Sequence, residues 1–467
     1  MNILFVSPIN RTYVIMPMLG LGYLAAIARK GSHQITMLDC KNSRFTFKDF
    51  EEYIKERDFD LVCFQVFTYD INSVKQHIAI VRKYNKDAVI VAGGAHPSGD
   101  PAGTMEYLKG LDFAFKGESE IGFEKFLNEL ERQGVKNFKS NVDVLRGIPG
   151  LIYRAEGSIN MNPPVFIEKL DELEFPAWDL MDPRTYPESP HGAFAKNFPT
   201  APIIITRGCP HQCTFCAGKS ITGNKIRKRS IDNVLSEIYF LSDKFGVKEI
   251  LIEDENFTLH KDMLIEFCTK LAKNKRKISW SFPSGIRIET LSKEILRLME
   301  DTGCYSMAIG IEFGSQRIHD LTKKRLSIEL IKDRMALLSE SKIKTTGFFL
   351  MGIPGETRQD MLSTIDLAMK LNIDRAQFNN FMPLPGSQLW DQLLEENKLS
   401  GLDWDNFFVH DVAYIPEGMT KKEMKRLQRK AYLKFYMRPK VIIRILKEIR
   451  SFTHLKMLLN RFMDALR

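Results

Sequence analysis

The sequence predicts an α/β protein built from two parallel βα assemblies in series, the first a doubly wound sheet and the second an open, partial barrel. Three observations carry this. Short β-branched or apolar runs alternate with amphipathic helical stretches in two separate sets, a Pro- and Gly-rich stretch at 146–202 divides them, and 467 residues exceed what one hydrophobic core usually supports.

In the first set, Ile3 to Ser7, Gln34 to Asp39, Asp60 to Phe67, Ala88 to Gly93 and Phe113 to Lys116 read as strands, with helical segments such as Phe47 to Arg57 and Asn72 to Tyr84 between them. Helical crossovers of this kind make a parallel sheet, here of about five strands, whose C-terminal edge is the usual ligand side. Gly20-Leu-Gly22 imitates a dinucleotide fingerprint. It stands well past the first strand and lacks the third glycine, so it reads as helix packing.

Across the divide, Gly147, Pro149, Gly157, Pro163, Pro164, Pro176, Pro183, Pro187, Pro190 and Pro199 break any long helix, and Gly150 to Asn162 reads as a small hairpin ahead of a connector. The second set follows with strands at Ile203 to Thr206, Glu249 to Ile252, Ser279 to Phe282, Met307 to Ile311, Thr346 to Met351 and Ala376 to Phe381. Six βα units are too few to close an eight-fold barrel, so the chemistry is expected at the C-terminal strand ends of an open one. The tail begins with the capping-box pattern Thr420-Lys-Lys-Glu423, carries Met424, Leu427, Ala431, Tyr432 and Phe435 at helical spacing, and stops at Met437-Arg438-Pro439 before a second helical pattern. The expected organisation is 1–145 for the doubly wound domain, 146–195 for hairpin and connector, 196–395 for the partial barrel and 396–467 for a basic helical region.

Composition narrows the class. The 44% hydrophobic content excludes a disordered chain. No run approaches the ~18 apolar residues of a spanning helix, and the N-terminus lacks a signal-peptide pattern, so a cytoplasmic protein is expected. Seven cysteines, at 40, 63, 209, 213, 216, 268 and 304, are an odd number with one tight cluster, which does not describe a secreted disulfide framework. The net charge of +9 belongs to the tail, because residues 418–467 hold 15 Lys/Arg against 3 Asp/Glu. Such a tail has two readings: a helical cap on the barrel with solvated charges, which is preferred, or a peripheral contact with an anionic membrane.

The strongest chemical signal is Arg207-Gly-Cys209-Pro-His-Gln-Cys213-Thr-Phe-Cys216, directly after the first strand of the second set. Three thiolates at this spacing can hold three irons of a 4Fe-4S cube and leave the fourth open to a small molecule. A structural zinc would need a fourth ligand, and His211 falls between two of the cysteines.

The spacing Cys-x-x-x-Cys-x-x-Cys, with an aromatic before the last cysteine, resembles the signature of the radical S-adenosylmethionine (SAM) superfamily, and the resemblance covers most of the chain. It implies a 4Fe-4S cluster on Cys209, Cys213 and Cys216 whose open iron chelates SAM and splits it to a 5′-deoxyadenosyl radical. By the same resemblance Glu253 and Asp254 would meet the substrate-side ammonium, Arg287 the methionine carboxylate and Glu312 the ribose, while Phe215 and the Gly352-Ile353 segment would meet the adenine. The first domain is similar to the cobalamin-binding domain that precedes the barrel in one branch, through Thr68-Tyr69, Gly93-Gly94, His96 and Gly117-Glu118 at strand ends. It lacks Asp-x-His-x-x-Gly after the first strand, so no histidine there can ligate cobalt, and His96 reads as a loop histidine. Phe435-Tyr-Met-Arg-Pro439 and Pro383-Leu-Pro-Gly386 resemble the subgroup with the anaerobic magnesium-protoporphyrin ester cyclase and hopanoid- and lipid-modifying enzymes.

The function this implies is cobalamin-dependent methyl transfer to an unactivated carbon. The alternative is radical oxidative cyclisation or carbon-skeleton modification of a tetrapyrrole or lipid-like substrate. A methylthiotransferase is disfavoured because Cys40 and Cys63 cannot supply a second cluster. A structural metal scaffold would leave the strand-end carboxylates and arginine without a role. The expected partners are a small-molecule or lipid-like substrate and an electron donor such as flavodoxin or ferredoxin, with no nucleic acid. No catalytic residue beyond the cofactor contacts is assigned.

Overall fold

Ile3, Leu4, Phe5 and Val6 are all fully buried, the pattern of a strand covered on both faces, and they form the first strand of a doubly wound sheet. The computed structural model describes residues 1–188, 195–274, 276–449 and 451–466. Strands β1 (Asn2–Ser7), β2 (Gln34–Asp39), β3 (Leu61–Gln65), β4 (Val89–Gly93) and β5 (Phe113–Phe115) run parallel in the order β2-β1-β3-β4-β5. The hairpin β6 (Leu151–Ala155) and β7 (Ser158–Met161) adds antiparallel to β5, making seven strands. The hairpin thus extends the first sheet and does not belong to the connector. Leu151, Ile152 and Tyr153 are buried against the short strand β5.

The connector packs on both assemblies. Trp178 is buried in the core of the second, and its indole Nε1 donates to Glu237 at 2.9 Å. The Ala177 amide donates to Gly22 O at 3.0 Å. A Cβ on Gly22 would meet Met181 Cε at 2.2 Å, which explains this glycine as helix packing. The Pro190 break, within 189–194, lies outside the described residues.

The second sheet is parallel throughout, in the order β15-β14-β13-β12-β11-β8. Its strands are β8 (Thr200–Ile203), β11 (Glu249–Ile252), β12 (Ser279–Ile286), β13 (Cys304–Glu312), β14 (Lys344–Met351) and β15 (Arg375–Asn380). The first begins three residues before the sequence expectation and contains Pro202, which its edge position tolerates. A two-stranded ribbon, β9 (Thr206–Arg207) against β10 (Arg227–Lys228), closes the loop that carries the cysteines.

The other edge is sealed by a helix. On Lys421–Tyr436, Gln428, Tyr432 and Tyr436 lie four residues apart on one face and take up backbone groups of β15. Gln428 Nε2 donates to Phe378 O at 2.7 Å, Tyr432 Oη accepts from Phe378 N at 3.2 Å, and Tyr436 Oη donates to Ala376 O at 2.8 Å. The capping box is formed by Thr420 and Glu423. This part of the tail is therefore a cap. Helices Pro439–Leu446 and Phe452–Leu466 follow it. Among the described residues no helix is long and apolar enough to cross a membrane.

Candidate active site

The cysteine loop hangs between the ribbon and the barrel mouth. Gly208 has φ +96°, and a Cβ there would come within 2.3 Å of Lys225 O, so the turn into Cys209 requires glycine. Thr214 N donates to Thr322 O and Leu389 N to Thr214 O, both at 2.9 Å, which pins the loop to two barrel segments. Cys209 and Cys213 are half-buried, Cys216 is exposed and accepts from Gly218 N at 3.4 Å, and all three thiols are free. Among the described residues no three His, Cys, Asp or Glu side chains converge on a single metal ion. A cube gives each thiolate its own iron, so three accessible, unpaired thiols on one loop fit a cluster and not mononuclear zinc.

Around this loop the carboxylates and the arginine take distinct positions. Glu253 lines the central cavity and accepts a hydrogen bond from the Ser284 hydroxyl. Asp254 turns inward and accepts from Ile205 N, Thr206 N and Thr206 Oγ1, each at 2.7 Å. It holds the start of the cysteine ribbon and, unlike Glu253, does not line the cavity. Arg287 is buried. Its Nε donates to Glu289 at 2.5 Å and its Nη2 to Lys324 O at 2.9 Å, while Nη1 has no partner among the described residues. Its charge opposes the rise that burial imposes on the Cys209 thiol. An unsatisfied guanidinium donor close to the cysteines fits a carboxylate ligand. Glu312 sits at φ +66° where the β13 register slips, paired with Lys324 Nζ at 3.0 Å. A non-glycine residue in that conformation at a strand end is the kind of strain that marks a working site.

The Gly352 and Ile353 amides are not free for adenine. They donate to Glu356 Oε2 at 2.5 and 3.1 Å, and burial pushes the Glu356 carboxyl up to about 8. Ile353 instead joins an apolar cluster with Phe313 and Phe381. Phe215 packs against this cluster, its ring 5.9 Å from that of Phe313. The apolar face for a flat ring is present, formed by side chains and not by those amides.

The central cavity has a volume of about 850 Å³ and lies between the two sheets. Ser7, Gln65, Phe67 and Tyr69 of the first sheet, Glu253, Tyr305, Phe348 and Gln377 of the second, and the last two helices form its walls. Of the cobalamin residues expected from the sequence, Tyr69 lines it. The Phe67 and Tyr69 rings stack with centroids 5.5 Å apart and planes 6° from parallel. A Cβ on Gly93 would meet only Ser119 Oγ, at 3.9 Å. A flat aromatic platform beside an uncrowded glycine fits a planar macrocycle.

Thr68, Gly94, His96, Gly117 and Glu118, also expected to meet cobalamin, do not line this cavity. His96 is fully buried beneath Trp404, 5.1 Å between ring centroids, with Nδ1 3.3 Å from the buried Thr68 hydroxyl. Gly94 lies against the Val66 backbone and Gly117 against Pro164. Glu118 is held by Arg227 at 2.6 and 2.7 Å and by Arg207 at 3.5 Å, and Arg207 also pairs with Glu120 at 2.7 Å. Sequence reasoning missed this buried network, which joins the first sheet to both strands of the cysteine ribbon. It also missed Gly99, where a Cβ would come within 2.1 Å of Pro385 O in the Pro383-Leu-Pro-Gly386 segment.

Residues 203–368 match the radical SAM superfamily and residues 9–127 the B12 binding domain. An uncharacterised methyltransferase of Pyrococcus horikoshii is 31% identical over 440 residues, covering 93% of this chain and 91% of that protein. The chain belongs to the radical SAM superfamily. It is a cobalamin-dependent member, an enzyme of the family that contains radical SAM methyltransferases. The anaerobic magnesium-protoporphyrin IX monomethyl ester cyclase of Rubrivivax gelatinosus is 25% identical, covering 89% of this chain and 73% of its own. The fold of this radical SAM enzyme is shared with the methyltransferase TsrM of Kitasatospora setae (TM-score 0.68, 18% identity, 90% of this chain and 83% of that one), solved with cobalamin and a 4Fe-4S cluster bound.

Proposed function

We propose that this enzyme transfers a methyl group to an unactivated carbon of an apolar substrate held in the central cavity. The observation that carries it is one chamber walled by the strand ends of both sheets, so that a macrocycle on the Phe67–Tyr69 platform would face Glu253 at a strand end of the barrel. When bound, the cluster with SAM supplies hydrogen-atom abstraction and cobalamin supplies the methyl group.

The chain's own residues orient and exclude. Cys209, Cys213 and Cys216 would hold the cluster. Arg287 Nη1 would take the methionine carboxylate, Glu253 the cationic end and Glu312 the ribose, with Phe215 beside the ring. The last two helices roof the chamber with Ile445, Leu455, Leu458 and Phe462, an apolar lid that keeps water from a radical. A one-electron donor such as flavodoxin or ferredoxin is required to reduce the cluster.

With methyl-labelled SAM, label is expected in product, with S-adenosylhomocysteine and 5′-deoxyadenosine in about equal amounts, one per role. Oxidative cyclisation is the second reading, favoured by the similarity to the cyclase. It yields deoxyadenosine without matching homocysteine product.

The outer surface of the roof supports peripheral contact with an anionic membrane. Ile443, Phe452 and Met463, which do not line the chamber, are each more than half exposed on a segment with 15 Lys/Arg against 3 Asp/Glu. Each such cation near the surface adds about 1 kcal/mol of attraction. Sedimentation with anionic vesicles tests it. Salt-sensitive pelleting is expected, and its absence would leave the tail as a cap alone.

A further inference from the structure

Among the described residues, the roof of the chamber carries an arginine without an ion pair. Arg461, on Phe452–Leu466, lines the cavity and stacks over Tyr13, its guanidinium carbon 4.6 Å from the ring centroid. Among the described residues it has no ion pair and no hydrogen bond. The other arginine of the cavity wall, Arg375, is paired with Glu448. Asp464, three residues on, is engaged by the Tyr13 hydroxyl at 2.5 Å. The groups that face Arg461 are the hydroxyl-bearing rings of Tyr13, Tyr432 and Tyr436 and the His410 imidazole. Burial lowers its pKa to about 10.

A half-buried guanidinium without a counter-anion is incompletely compensated, and an anion bound in the cavity relieves that cost. The contact with the Tyr13 ring holds the group on the cavity wall, and its N–H donors match a two-pronged acceptor. The surrounding wall, with Phe348, Met382, Ile445, Leu458 and Phe462, is apolar.

We propose that Arg461 anchors a carboxylate or phosphate group at one end of an otherwise apolar substrate. The inference rests on reading the cavity as the substrate chamber and adds the substrate's class, an anionic amphiphile. The rival anion is the phosphate in the nucleotide tail of cobalamin, and the same experiment separates the two.

Full-length protein loaded with cluster and cobalamin is titrated calorimetrically with dodecanoate, dodecyl phosphate and dodecanol, as wild type and as R461K, R461Q and R461M. Both anions should bind wild type at least ~10-fold tighter than dodecanol, an advantage that falls to within about 2-fold in R461Q and R461M and survives in part in R461K. Cobalamin content and visible spectrum should be the same in all folded variants, with folding checked by circular dichroism. An unchanged anion preference in the neutral variants overturns the proposal. So does equal weakening of all three ligands, which marks a strut on Tyr13, or no binding by any of them. Loss of cobalamin with the anion preference intact assigns Arg461 to the cofactor and overturns it too. No turnover is measured, so a failed methyl-transfer assay and a failed anion preference are separate results.

Discussion

The Arg227 guanidinium meets the Glu118 carboxylate with both terminal nitrogens, at 2.6 and 2.7 Å, in a buried pair that ties the first sheet to the ribbon carrying the cysteines. A buried ion pair adds little net stability over apolar packing, but removing one partner strands the other. E118Q should therefore lose about 3–5 kcal/mol in urea unfolding, and E118Q/R227M should recover much of it. A single mutant within ~0.5 kcal/mol of wild type would show that the pair is not a joint between the two assemblies.

Iron analysis of anaerobically prepared protein should give about four irons per chain on the Cys209, Cys213 and Cys216 site. Replacing all three cysteines by Ala should remove both the visible absorption and deoxyadenosine formation. Retained deoxyadenosine formation in that triple variant would refute the site.

Glu356 sets a pH dependence of stability. Its carboxyl is pushed up to about 8 by burial, against about 4.3 for a free Glu, and Asp254 is pushed to about 7 by the same cause. Between these limits the folded chain holds a proton that the unfolded chain releases. Stability from that proton is complete below pH ~4.3 and is lost progressively as pH rises to ~8. E356Q keeps a neutral side chain that accepts from Gly352 and Ile353, so its advantage over wild type should grow between pH 5 and 8, on the order of a few kcal/mol. Parallel curves for the two proteins would contradict this.

His96 is buried under Trp404 and does not line the central cavity. H96A should bind cobalamin with an unaltered visible spectrum while losing about 2–3 kcal/mol of stability. The cobalt(II) electron paramagnetic resonance of wild type should show no nitrogen splitting from the lower face. Splitting that disappears in H96A would reverse the assignment.

Strands were legible because a buried parallel strand is a continuous β-branched run that needs no partner to be recognised, as Glu249–Ile252 shows. Pro202 hid the first barrel strand, since its tolerance depends on an edge that only topology defines. The cysteines were legible because all three ligands lie in one short loop. Adjacent residues at strand ends were not so readily separated. Glu253 and Asp254 point to opposite sides, and nothing in their order says which faces the cavity. Glu118 and Arg227 are far apart in sequence, and Arg461 reaches Tyr13 from the opposite end of the chain. Such contacts have no local signature.

The fate of the SAM methyl group bears most directly on the enzyme's function. Protein holding its cluster and cobalamin would be given methyl-labelled SAM, a one-electron donor and extract from a strain lacking the enzyme, and the products separated by mass. The expected result is a labelled product one methylene heavier than its precursor, with S-adenosylhomocysteine and 5′-deoxyadenosine in about equal amounts. Conversion of the precursor with deoxyadenosine formed, but with no label and no such mass gain, would contradict methyl transfer.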